Sequence, residues 1–142
     1  MSNLETIYAS RECDIFYNKD LHIVQTFWKG VYVTEEPFRK ILDEIINVVE
    51  LKKASIIIAD ARDMYVISPQ NQEWIINSWY PRAVKAGFRY QGLILSKDTF
   101  SELTVKKISE KYDESTVTTH YFSSPSEALD WVREIQEASA EL

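Results

Sequence analysis

Residues 34–51 set Phe38, Ile41, Leu42, Ile45, Ile46 and Val49 at helical spacing, with Arg39, Lys40, Asp43, Glu44 and Asn47 on the opposite side. Thr34 stands at the N-cap position, and Glu35 and Glu36 suit the positive end of the helix dipole. Shortly afterwards Ile56-Ile57-Ile58-Ala59 runs apolar without alternation and stops at Asp60. Continuous apolarity of that kind asks for cover on both faces, as parallel strands usually have. An amphipathic helix leading into a strand buried on both sides places the chain in the α/β class.

The remaining segments extend the same alternation. Cys13, Ile15 and Tyr17 alternate with Asp14 and Phe16, Asn18-Lys19-Asp20 supplies a turn, and Leu21–Trp28 resumes. This reads as a hairpin with Leu21, Ile23 and Phe27 on one face and Val24 and Trp28 on the other. Residues 4–9 are a weaker edge-strand candidate. Ser68-Pro69 reads as an N-cap followed by proline at the first helical position. The helix it opens carries Ile75, Ile76, Trp79, Tyr80, Ala83 and Val84 inward, with a kink or break expected at Pro81 and a stop at Gly87. Gly92–Ser96 reads as a buried strand, and Asp98 as the cap of a helix carrying Phe100, Leu103, Ile108 and Tyr112. A strand near 117–122 follows. Ser123 to Ser126 then open a last helix with Ala128, Leu129, Trp131, Val132 and Ile135 inward. The expected fold is a single-domain α/β sandwich over residues 1–142. It has an N-terminal hairpin, then alternating α and β, and a mixed sheet of four to five strands flanked by helices, with 138–142 as a short tail.

Composition and charge exclude several functions. Hydrophobic residues at 45% and charged residues at 27% are globular values and exclude disorder along the chain. A net charge of −6 without any basic run disfavours nucleic acid and anionic membranes as partners. No signal-like start and no membrane-length apolar run occur, so a cytoplasmic location is expected. Cys13 is the single cysteine and His22 and His120 the only histidines, which excludes an internal disulfide and argues against a zinc cluster. Gly87 and Gly92 have phosphate-loop spacing, but Leu93-Ile94 stands where lysine and a hydroxyl residue are needed, and no three-glycine dinucleotide motif is present. Ile15-Phe16-Tyr17 lacks the acidic pair of a phosphoacceptor receiver. No acid/base or nucleophile pattern stands out, so neither enzymatic activity nor a cofactor is expected.

The order of elements, with Phe27-Trp28-Lys29-Gly30, Ile56–Arg62, Ile67-Ser68-Pro69, Trp74 and Ala86-Gly87-Phe88-Arg89, resembles the SpoIIAA-like family, a branch of the STAS and CRAL-TRIO-like superfamily. The resemblance spans roughly residues 12–137. It implies a STAS-like sheet flanked by helices and a role in bacterial regulation through protein contacts. In antagonists of that family a strand-ending aspartate precedes a phosphorylatable serine at a helix start. Asp60 matches the first position and Ser68 lies near the second, although Pro69-Gln70 replaces the small residues and glycine that follow there.

Open α/β sheets place ligands beyond strand carboxyl ends, which makes Asp60, Arg62, Ser68, Ser96 and Lys97 candidate regulatory or ligand-facing residues. The competing reading is that Asp60 and Asp63 cap turns or pair with Arg62, and that Ser68 only caps its helix. Trp74 lies off the main stripe and is a candidate cover for a pocket or a partner surface, against partial burial on Met64-Tyr65-Val66. The expected function is a non-enzymatic regulatory or protein-interaction module with an unidentified protein partner. The alternative, which the CRAL-TRIO-like resemblance implies, is a carrier or sensor of a small apolar ligand, limited by how little room a core of this size leaves. Leu21–Trp28, read as an under-protected edge, also predicts a homodimer.

Overall fold

A computed structural model describes residues 3–64, 67–96, 100–111 and 116–140. The elements run β1 (Leu4–Ala9), β2 (Cys13–Asn18), β3 (Ile23–Trp28), α1 (Glu35–Lys52), β4 (Ile56–Asp60) and α2 (Pro69–Trp74). A π-helical turn (Ile75–Trp79), α3 (Tyr80–Ala86), β5 (Tyr90–Ile94), α4 (Phe100–Glu110), β6 (Thr118–Phe122) and α5 (Pro125–Ala140) follow. The strands form one sheet in chain order. β1, β2 and β3 pair antiparallel, and β3 to β6 pair parallel. The chain is therefore α/β, with six strands rather than four or five.

The additional strand is β1, whose weak alternation is overridden by pairing with β2 from Leu4↔Asn18 to Ala9↔Asp14, across a register shift between Thr6 and Tyr8. β3 starts at Ile23 because His22 holds a left-handed φ of 55° at the end of the turn. It lies between β2 and β4, so Leu21–Trp28 is not the edge that the sequence predicts; β1 takes that place. β5 starts two residues earlier than predicted. Tyr90 and Gln91 pair with Ile56 and Ile57, and a buried glutamine does not read as apolar strand.

Alternation along the strands divides the core in two. Val24, Trp28, Ile57 and Leu93 face a front layer made by α1, the α2–α3 segment and Ile108 of α4. Ile23, Ile56, Ile58 and Ile94 face α5 through Ala128, Trp131 and Val132. Within α1 the inward stripe includes Val48, while Ile46 is only half-buried. Thr34 occupies the N-cap position without a side-chain capping bond. The predicted cap Asp98 and the predicted core residue Tyr112 lie outside the described residues. α5 runs to Ala140, beyond the predicted start of the tail at 138. Among the described residues no helix is long and apolar enough to cross a membrane.

Pro81 does not break its helix. A proline in a helix lacks the N–H and crowds the carbonyl four residues back. The preceding turn widens to π geometry, with the Tyr80 N–H bonding back to the Ile75 carbonyl, and Pro81 falls in the first turn of α3. Ile75, Trp79, Tyr80 and Ala83 stay buried, and the Trp79 indole N–H donates to the Leu42 carbonyl at 2.6 Å, fixing this segment on α1.

Gly92 lets α5 sit close to the sheet. A Cβ there would lie 2.5 Å from Ile58 Cδ1 and 3.3 Å from both Phe122 and Trp131. Gly92→Val is expected to lower stability by about 1–3 kcal/mol through overpacking, read as a lower urea midpoint. An unchanged midpoint would show that α5 does not need this close approach.

Candidate functional site

The parallel strands β4, β5 and β6 end along one side of the sheet, and the cluster predicted there forms only in part. Asp60 Oδ1 and Oδ2 accept from Arg62 Nε at 2.9 Å and a terminal guanidinium nitrogen at 2.7 Å. This closed fork raises the Arg62 guanidinium above its ordinary value, chiefly through the hydrogen bonds to Asp60. Arg62 and Ser96 share an open hollow of about 510 Å³ with Asp63, Leu95 and Ser123. Ser68 does not join them; it lies in a separate cleft beside Trp28, Lys29 and Asn71. Lys97 lies outside the described residues.

Ser68 has a structural task where it stands. Its hydroxyl accepts the Asn71 N–H at 3.1 Å, the N-cap bond of α2. Asn71 is buried, and its Oδ1 accepts from Arg39 Nε at 3.1 Å. Arg39 also pairs with Glu35 at 2.7 Å and lies 5.1 Å from the Trp74 ring centroid. Arg82, paired with Asp43 at 2.9 Å, lies 5.4 Å from the same ring. Trp74 is therefore half-buried under guanidinium groups from α1 and α3. Of the loop expected beside it, Tyr65 and Val66 lie outside the described residues.

The nucleophile and imidazole candidates are occupied. Cys13 is fully buried, and burial pushes its thiol up to about 12. His22 Nε2 donates to the Lys53 carbonyl at 3.0 Å, leaving Nδ1 to accept from the Tyr17 hydroxyl. His120 stacks on Trp131 with centroids 4.8 Å apart. Among the described residues no group of three His, Cys, Asp or Glu side chains is placed to hold a metal.

The feature with the most chemistry is interior. Between the front of the sheet and its helices lies a cavity of about 90 Å³. Ala59 and Leu93 help form its floor, and Trp28, Phe38, Trp79, Tyr80 and Phe88 supply aromatic walls. Its described lining carries no charged side chain. Tyr80 and Gln91 satisfy one another across it, the phenol donating to Gln91 Oε1 at 2.7 Å. Thr26 also lines it, and its hydroxyl is buried without a hydrogen-bond partner. Such an unpaired group costs roughly 1–3 kcal/mol. The sequence reading passed over Thr26 and Gln91. Alternation did hold a signal, because Thr26 falls between Val24 and Trp28 on the inward face of its strand.

Comparison of the chain with protein-family models, with curated proteins and with solved structures gave no match.

Ser68→Ala is expected to lower stability by about 0.5–2 kcal/mol, while Ser68→Asp, which also caps, keeps the melting temperature. Equal melting temperatures for the alanine variant and the wild type would remove the capping role. Cys13 is expected to resist iodoacetamide at pH 8 until the chain is unfolded. Its raised value also sets a pH trend. The unfolded thiol loses its proton near ~8.5 and the folded one does not, so stability is full below that pH and falls as pH rises towards about 12. Rapid alkylation of the folded chain at pH 8 would contradict the burial of this thiol.

Proposed function

We propose that this chain is a non-enzymatic regulatory module that holds a small, mainly apolar ligand between its sheet and helices, as a carrier or sensor. The observation that carries this reading is the cavity of about 90 Å³, with apolar walls and a few buried hydrogen-bonding groups. Its size lies well below the ~300 Å³ at which ordinary ligand pockets begin. The ligand is accordingly smaller than a benzene ring, for which a cavity of ~150 Å³ suffices, and has the size of a short chain of a few atoms. Ala59 and Met64 are the half-buried members of its described lining.

Native mass spectrometry of protein from its own host, with melting scans against small apolar compounds, tests this reading. A bound small molecule, or a melting temperature that climbs with added compound, is expected. Ala59→Leu should fill the floor of the cavity and abolish the shift. A ligand-free mass together with no shift from any compound would sink the proposal.

A protein contact is the second reading, favoured by the uncovered half of the back face. α5 packs across β4, β5 and β6, whereas Leu4 and Phe27 stay exposed on the antiparallel half. The charge on that half, Asp14, is paired with Lys29 at 3.1 Å. Two copies of a chain at −6 repel over most of their surfaces, but not where this face meets itself. A homodimer is therefore the partner proposed. Light scattering should give about twice 16.6 kDa, and Phe27→Glu should return the mass to the monomer value. A monomer mass for the wild type at high concentration would defeat this reading.

A further inference from the structure

β6 ends the sheet, and its outer side has no neighbouring strand. The Thr118 N–H donates to the Arg89 carbonyl and the Leu95 N–H to the Phe122 carbonyl, both at 2.9 Å, with Thr118, His120 and Phe122 level with Tyr90, Gly92 and Ile94. Alternate residues of a strand turn their backbone groups to opposite sides, so Thr119 and Tyr121 direct N–H and C=O away from the sheet. Among the described residues nothing pairs with them, and Thr118, His120 and Tyr121 are exposed. The opposite edge is guarded. β1 carries a register shift between Thr6 and Tyr8, and its Glu5 pairs with Lys52 at 3.2 Å. β6 has no shift, and residues 115–126 form the longest run of the chain without an acidic residue, lysine or arginine. A regular outer strand with no charge of its own is a template for a further strand.

The back rim of this edge is acidic. The Gln136 side-chain amide donates to the Leu21 carbonyl, which turns that flank of α5 towards β3. Helical spacing puts Glu127, Trp131 and Glu134 on the other flank, and Trp131 stacks on His120 of β6. Glu127 and Glu134 are exposed, and among the described residues neither is paired with a cation. We propose that the β6 edge receives an extended segment of a partner protein as a seventh strand, and that this segment carries a lysine or arginine on its back-facing side at the level of His120. Backbone bonds to Thr119 and Tyr121 hold the segment. The added strand lies ~4.8 Å beyond β6, and a long basic side chain spans from there to the glutamates of α5. A second copy of this chain is a poorer occupant. Two β6 strands paired antiparallel about His120 would bring two acidic α5 flanks together on one face. The proposal depends on neither reading above, since it uses neither the cavity nor the face at Leu4 and Phe27.

The test follows backbone amide exchange in the full chain by NMR. The probes are an acetylated and amidated heptapeptide, Thr-Val-Thr-Lys-Thr-Val-Thr, and its counterpart with glutamate in place of lysine. Without peptide the Thr119 and Tyr121 amides are expected to exchange freely, while Thr118, His120 and Phe122 are protected. The lysine peptide should slow Thr119 and Tyr121 and leave Leu4 and Thr6 of β1 unchanged. It should bind roughly tenfold more tightly than the glutamate peptide, the scale of an exposed ion pair set against a repulsion. Glu134→Gln should narrow that preference. Thr119→Pro removes an outward donor and keeps the ladder to β5, so the lysine peptide should bind about three- to tenfold more weakly. Should the proline variant not fold, the lysine peptide N-methylated at every amide takes its place, and loss of binding is expected. Slow exchange at Thr119 and Tyr121 in the dilute free chain would show the edge already covered and overturn the proposal. Protection that grows with protein concentration alone would assign the edge to a second copy instead. Binding by neither peptide, or unaltered binding after loss of the outward donors, would also defeat it. Equal affinity for the two peptides would remove the basic partner.

Discussion

β4 has a parallel neighbour on either side, and neither of its faces can meet water. Ile56 and Ile58 point to the back and Ile57 and Ala59 to the front, so the chain must supply a helical layer to each face. The layers are unequal. α1, the α2–α3 segment and α4 contribute to the front, and α5 alone covers the back. Gly92 is the concession that makes one helix enough there, because Trp131 can lie directly on the strand. The antiparallel half has no comparable need on its back face, where Phe27 and Leu4 remain exposed.

The front layer follows from how the chain deals with Pro81. A straight helix through that position would lose a backbone bond and meet a steric clash. A widened turn absorbs both and leaves Ile75, Trp79 and Tyr80 directed inward. Trp79 then spends its indole N–H on α1, and Tyr80 reaches across to Gln91. Large side chains held at the rim by hydrogen bonds cannot collapse onto small Ala59, and the space above it stays open. The cavity is thus a packing consequence of rigid aromatics facing a small residue.

Most groups with reactive potential are engaged in structural bonds. Asp60 is closed by Arg62, Ser68 by the first turn of α2, His22 by Tyr17 and Lys53, and Cys13 by burial. Among the buried side-chain polar atoms of the described residues, the Thr26 hydroxyl is left without a partner, and Thr26 lines the cavity. A folded chain that tolerates an unpaired hydroxyl in its core gives up stability for it. Strain and unsatisfied groups of this kind tend to collect where a molecule binds.

By itself the sequence determined the α/β class, the helix over Glu35–Lys52, the buried strand Ile56–Asp60, the Ser68 cap and the Gly87 stop, because each depends on spacing along a short stretch. The pairing of Asp60 with Arg62 was equally legible, as the two are neighbours in the chain. Only the tertiary structure decided that Leu4–Ala9 completes the sheet, since an edge strand takes its identity from its partner rather than from its own pattern. It likewise separated Ser68 from Ser96 and brought Thr26, Ala59, Tyr80 and Gln91 around one cavity. Those residues come from three strands and a helix. Their proximity is fixed by sheet order and helix placement, which no local run of residues encodes.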